Sequence, residues 1–375
     1  MPYIGGMADE IAETEEVVFE DILSEDEDQD ASLRNYEIVT FPADYTLTVL
    51  VDKWKRGQVR IPDFQRSFVW KQNQASRLIE SFLVGLPVPA IFLYTDRSDR
   101  NNQLVVDGQQ RLRSIAYYFE GYFGEPNSRG TRQVFRLTGL HEKSPFANKT
   151  YAELERDDPA SWNRLNDSVL RAFVIQQLDP NDDTSIYHVF ERLNTGGTLL
   201  YPQEIRNAVA IGSFNELLHE LNVWEPWRLL YGSKQPDKRK RDIELILRVI
   251  SLSEDLLNYS KPMKDFLNDF MIHHRNPDKE VLDRFRLSFE TAVKTAQALG
   301  ERPFRRGAGL NAAVFDAVMT SLMTLNGRAK TGEELNRSYL KLMADEKFLS
   351  NVTTSTTNDD IVKARIAIAT QTLAV

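Results

Sequence analysis

A change of periodicity near Pro202 limits what this chain can fold into. From Tyr36 to about Leu200, short β-rich runs alternate with amphipathic helical stretches, whereas beyond Pro202 nearly every periodic segment has helical spacing. In the first part, Gln72 to Val84 places Ala75, Leu78, Ile79, Phe82 and Leu83 on one helical face. Ala90 to Tyr94 and Leu104 to Val106 read as buried strands, and Val169 to Gln177 as a further strand. In the second part, Arg241 to Ser253, Pro262 to His274, Lys279 to Leu299, Ala312 to Leu325, Gly332 to Asp345 and Asp359 to Leu373 carry apolar stripes of helix length, punctuated by Gly or Pro. The pattern predicts an α+β domain over residues 35–205 followed by an α-helical domain over 206–375. A chain of 375 residues, 42% of them hydrophobic, can fill two such cores.

The N-terminal segment behaves differently. Residues 1–34 are polar, with a thin apolar set, and are predicted to be an acidic disordered tail or a helix formed only on a partner. Between Met7 and Asp30 lie twelve Asp or Glu and no Lys or Arg. The formal net charge of −9 therefore misleads: without that segment, 46 Lys and Arg face 43 Asp and Glu, leaving a slightly basic body at +3. An acidic tail on a basic body is expected to compete with polyanions for the basic surface.

Several function classes fall away. With no cysteine, disulfide scaffolds, thiolate metal sites and thiol catalysis are excluded, and a reducing, cytoplasmic setting is expected. The uncharged stretch from Phe82 to Thr95, about fourteen residues, contains Pro87 and Pro89 and cannot cross a bilayer as a helix. The acidic N-terminus is the opposite of a signal peptide. Neither a Gly-x-x-x-x-Gly-Lys-Ser/Thr loop nor a Gly-x-Gly-x-x-Gly turn is present.

The chemistry concentrates at Leu104 to Arg113, which reads as a strand, a sharp turn and a helix start. Asp107 is placed to cap the helix, Gly108 permits a tight turn and close approach of a ligand, and the N–H groups around Gln109 to Arg111 point outward with the positive end of the helix dipole. Leu112, Ile115, Ala116 and Phe119 take the core face, which leaves Arg111 able to fork onto an anion. The same pattern alone also describes a capped turn with Arg111 in a surface ion pair. A second segment, Arg60 to Trp70, sets Gln65 and Arg66 among the apolar anchors Ile61, Phe64, Phe68, Val69 and Trp70, an expensive place for a guanidinium without an anion or carboxylate.

Together, Ile61-Pro-x-Phe-Gln-Arg66 with Val69-Trp70, and Val106-Asp-Gly-Gln-Gln-Arg-Leu112, resemble the N-terminal domain family of GmrSD-type restriction endonucleases, a branch of the ParB/sulfiredoxin-like fold. Leu78-Ile-Glu-Ser81 with Pro87-Val-Pro89, and Phe190-Glu-Arg-Leu-Asn-Thr-Gly-Gly197 with Glu204-Ile-Arg-Asn207, follow in the family's order. The resemblance covers roughly residues 45 to 210. It implies a nucleotide-binding domain that binds and hydrolyses an NTP within a prokaryotic restriction or antiviral defence system acting on or sensing DNA. Carried over residue by residue, Asp107, Gly108, Gln109, Gln110 and Arg111 would cradle the phosphates, with Gln65 and Arg66 closing from the other side. Asp107, Arg111 and Arg66 would be the catalytic set, Asn194, Gly196 and Gly197 a backbone loop beside the nucleotide, and Asp63 or Asp107 a Mg²⁺ ligand through water. Gly196 and Gly197 also fit an ordinary helix stop.

Two departures stand out. Tyr201-Pro202 occupies the place where relatives carry Ser or Thr before the next helix, so a side-chain cap is missing there. Many relatives continue into an HNH nuclease domain, and His141, His188, His219, His273 and His274 form no such grouping. Two alternatives remain beside the NTPase: a non-catalytic, nucleotide-switched DNA- or protein-binding module, and a Mg²⁺-dependent DNA nickase using the N-terminal domain. A protein partner or homo-oligomer would suit either. Lys238, Arg239, Lys240 and Arg241 form a basic run just before a helix and are candidate DNA contacts, with Arg302, Arg305 and Arg306 a second basic group. Asp265, Asp269 and His273 recur at helical spacing, as metal ligands or as a solvated polar face.

Overall fold

The alternating first part of the chain becomes a five-stranded sheet. The computed structural model describes residues 37–62, 68–95, 102–127, 130–178, 184–193, 201–300, 302–306 and 309–375. They divide into two units, 37–209 and 210–375, each with a core of its own. In chain order the first unit contains β1 (Ile38–Thr46), α1 (Leu47–Lys55), β2 (Val59–Arg60), α2 (Gln72–Val84), β3 (Ile91–Thr95), β4 (Gln103–Asp107) and α3 (Gln109–Glu120). It continues with the short pair β5 (Tyr122–Phe123) and β6 (Gln133–Val134), then α4 (Tyr151–Asp157), α5 (Pro159–Asp167), β7 (Val169–Gln177), α6 (Ser185–Leu193) and α7 (Pro202–Val209).

The sheet runs in the order β1-β7-β3-β4-β2. β7 pairs antiparallel with β1 and parallel with β3, β3 antiparallel with β4, and β4 parallel with β2. Alternation assigns the two faces. Ile91, Leu93, Val105, Ala172 and Val174 point into a core closed by Leu50 of α1, Leu78, Ile79, Phe82 and Leu83 of α2, and Leu112 and Ile115 of α3. The opposite face carries Tyr94, Val106 and Ile175, all buried, and α6 packs against β4. β1 is an outer strand nine residues long, with Ile38, Val39 and Phe41 exposed and Pro42 at its middle opposite Phe173.

Helix ends follow their capping chemistry. Thr46 accepts from the Val49 N–H to start α1, and Thr150 and Glu153 form a reciprocal capping box at α4. Glu153 also holds Arg136; that pairing and the Thr150 N–H keep its carboxyl well below the usual range, at about 2. At α7 the missing hydroxyl cap is offset by Glu204, whose Oε2 accepts the Tyr201 N–H at 2.8 Å.

The second unit is helical apart from one small hairpin. It comprises α8 (Ser213–Val223), α9 (Glu225–Tyr231), α10 (Arg241–Asp255), α11 (Met263–His273), α12 (Lys279–Ala296), β8 (Arg305–Arg306), β9 (Gly309–Leu310), α13 (Ala312–Leu325), α14 (Gly332–Leu342), α15 (Glu346–Asn351) and α16 (Asp359–Leu373). α13 is buried on almost every side, with α10, α12 and α16 against it. The expected helix to Asp345 stops at Leu342, because Asp345 instead accepts the Phe348 N–H at 2.8 Å and starts α15. Inside this core, Asp316 of α13 accepts from Arg248 Nη2 at 2.7 Å and from Arg365 Nη2 at 3.2 Å, all three side chains being at most 2% exposed. No described helix is long and apolar enough to cross a membrane.

Candidate functional site

The β4–α3 junction is built around a residue without a side chain. Gly108 has φ +95°, and a Cβ there would lie 2.4 Å from Ile91 Cγ2. Only glycine fits that backbone against β3. Gly108 is also the N-cap of α3, and among the described residues no side chain caps the helix. Asp107 thus departs from its expected capping role. Its Oδ2 accepts from Arg111 Nη2 at 2.7 Å, a one-turn pair in which Arg111 is 15% exposed and Asp107 44%. The first-turn N–H groups have no acceptor within the helix itself and carry the positive end of its dipole.

The two glutamines after Gly108 differ in duty. Gln110 Oε1 accepts the backbone N–H of Val69 at 3.1 Å and of Trp70 at 3.3 Å, tying the end of the Ile61–Trp70 segment to the helix. Gln109 Oε1 is buried and has no hydrogen-bond partner among the described residues. Phe68 reinforces the tie, with edge contacts to Tyr117 of α3 at 5.1 Å and to Phe123 at 5.4 Å. Burial, with Glu125 accepting its hydroxyl, pushes Tyr117 up to about 12. The structure therefore joins the two motifs at Val69-Trp70 and Gln110. Asp63, Gln65, Arg66, Asn194, Gly196 and Gly197 lie outside the described residues.

These contacts place the Asp-Gly-Gln-Gln-Arg turn in a recognised setting. Residues 47–211 match the family model of the GmrSD restriction endonuclease N-terminal domain. The chain carries a GmrSD N-terminal domain. No curated protein matches the chain. Within the GmrSD domain, all four motifs fall inside the matched segment, and the described parts of the first two meet in space.

The basic run lies in the helical unit, on the loop between α9 and α10. Buried Arg228 donates to the carbonyl of Ser233 at 2.8 Å and to that of Gln235, and its Nη1 meets Asp242 Oδ2 at 2.7 Å. Asp242 also accepts the Asp237 N–H at 2.8 Å. The loop backbone is thus held from beneath, while Lys238 and Arg239 are exposed and Lys240 half-exposed. Arg241 is different: its Nη2 lies 2.7 Å from Asp237 Oδ2, so it braces the loop. Arg305 Nη2 lies 3.2 Å from where a Gly232 Cβ would stand, which brings this one arginine of the second basic group to the start of the same loop. Among the described residues no three His, Asp or Glu side chains gather as metal ligands. Asp265 is buried and the His273 ring contacts the Asp269 carbonyl at 2.7 Å, so the Asp265, Asp269 and His273 row is neither a metal site nor a fully solvated face.

Proposed function

We propose that the GmrSD domain is a ParB/sulfiredoxin-like module that binds and hydrolyses an NTP within a prokaryotic restriction or antiviral system acting on DNA. The observation that carries this is the uncapped α3 N-terminus beside Arg111 at a turn only glycine can make. Phosphate oxygens take the first-turn N–H groups, and Arg111 meets the charge that grows on the transferred phosphoryl group. Asp107 holds Arg111 in place. Gln109 Oε1, which has no hydrogen-bond partner among the described residues, accepts from the attacking water. Gln65 and Arg66 close the phosphate site from the neighbouring motif, and Asn194, Gly196 and Gly197 supply backbone beside the nucleotide. A Mg²⁺ ion would suit a donor set of one exposed carboxylate plus phosphate oxygens, with Asp107 or Asp63 as the ligand through water, and would there neutralise phosphate charge. Phosphate release by the purified chain, with and without DNA, tests the reading. Arg111→Ala is expected to lower turnover about 10³-fold, the scale of an arginine at a phosphoryl centre; unchanged turnover would overturn the assigned site. Nucleotide binding without release would mark a switch module, and Mg²⁺-dependent nicking lost in Asp107→Ala a nuclease.

The helical unit supplies the DNA contact through Lys238, Arg239 and Lys240, presented on the braced loop, with Arg241 in support. Each phosphate contact adds about 0.9 to the slope of log affinity against log salt. Changing Lys238, Arg239 and Lys240 to Gln is expected to lower that slope by about 2 to 3, measured by fluorescence anisotropy on duplex DNA. An unaltered slope would remove the loop from the interface.

A further inference from the structure

A row of residues crosses the sheet beside this site: Asp107 on β4 is the register partner of Phe92 on β3, Phe92 of Phe173 on β7, and Phe173 of Pro42 on β1. The Phe92 and Phe173 rings stack with centroids 5.4 Å apart and planes 28° from parallel. Their strand neighbours Ile91, Leu93, Ala172 and Val174 are buried in the core on the opposite face. Phe92 and Phe173 do not share that fate. Both are only half-buried, and neither belongs to the core of this unit nor packs against it. Further along the same face, Tyr94 and Ile175 are buried, so the two rings stand where the face emerges, next to the carboxylate that holds Arg111.

We infer that Phe92 and Phe173 form the stacking platform for the base of the nucleotide whose phosphates meet Gly108 and Arg111, an inference that rests on the nucleotide reading above. Strands lie about 4.8 Å apart, so Phe173 stands about two strand spacings, or 10 Å, from Asp107. A ribose and its first phosphate bridge such a gap. The platform has an aromatic face and Pro42 beyond it, with no amide or guanidinium in the row to read a base edge. Stacking accepts every base, because every base has a π-face, and favours the larger purine surface. The substrate class is therefore a nucleoside triphosphate selected weakly by base, purines ahead of pyrimidines and ATP and GTP alike.

Calorimetric titration of the full chain with ATP, CTP and inorganic tripolyphosphate separates the base from the phosphates. Phe92→Ala and Phe173→Ala are each expected to weaken ATP about 5- to 100-fold, the range for one lost base–aromatic stack, and to leave tripolyphosphate within about twofold. Phe92→Leu keeps the bulk without the π-face and is expected to show the same split with an unchanged unfolding midpoint. In Phe173→Trp, indole fluorescence is expected to fall with ATP and to stay constant with tripolyphosphate. Equal weakening of both ligands, unchanged ATP affinity, or preference for CTP would each overturn the platform. Arg111→Ala weakens both ligands; if it weakens neither, or the wild type binds neither, the phosphate site itself fails and the platform with it.

Discussion

Asp316→Ala is expected to destabilise the helical unit by about 3 to 5 kcal/mol, because it leaves two buried guanidinium groups facing each other without their shared carboxylate. Arg248 makes three contacts to the carboxylate, with Nε at 3.1 and 3.2 Å and Nη2 at 2.7 Å, while Glu244 Oε1 lies 3.8 Å from its Nη1. Glu244 cannot take over that geometry. Domains are typically stable by about 5 to 15 kcal/mol, so the loss approaches the whole margin. Urea unfolding followed by circular dichroism measures it. Replacing all three residues with apolar side chains of similar volume, Asp316→Leu with Arg248→Met and Arg365→Met, is expected to recover most of the loss, since no charge then needs solvation. A loss below about 1 kcal/mol in Asp316→Ala would show that water reaches the two arginines.

Gly108→Ala is the second large effect, and it joins stability to the site. Two costs combine: a side chain at φ +95°, about 1 to 2 kcal/mol, and a methyl group driven to 2.4 Å from Ile91 Cγ2, about 1 to 3 kcal/mol. Relief must come from moving β3 or the start of α3. Either movement shifts Arg111, whose Nη2 lies 3.2 Å from the same point, so NTP turnover is expected to fall with stability. Adding Ile91→Ala removes the 2.4 Å contact with Cγ2 but keeps the Ile91 Cβ at 2.9 Å and the backbone cost. The double variant is therefore expected to lose less stability than the sum of the two single losses that additivity of distant sites would give. Strict additivity would place the strain elsewhere.

Legibility in the sequence followed the physics of burial. α2, α13, α16 and β7 were readable to the residue because one face, or every face, is apolar and the ends are marked. β1 gave no strand signal: five of its first residues are exposed and Pro42 interrupts it, so its place depends on β7 rather than on its own pattern. α8 and α9 escaped because Trp224, Glu225 and Pro226 look like a loop, while the chain uses Pro226 in the first turn of α9. At the site, the Asp107–Arg111 pair replaces the expected cap: the carboxylate turns to the guanidinium one turn on instead of to the helix N–H groups. The hold of Gln110 on Val69 and Trp70 was not legible, since a contact across some forty residues leaves no local trace. Phe92 read as one more buried strand residue; only the sheet register shows that it shares a row with Asp107.

Pro42 has a consequence for how copies of this protein meet one another. An outer strand of nine residues, with Ile38, Val39 and Phe41 on view, is a template onto which another chain could add a strand. Proline lacks the donor such an addition would use, and it is tolerated in a strand where the missing N–H faces outward. The unbroken register of β1 with β7 through the Pro42 and Phe173 pair agrees with that orientation. The strand thus satisfies its inner neighbour while presenting an interrupted outer ladder, a safeguard against aggregation set in the middle of its most exposed apolar edge.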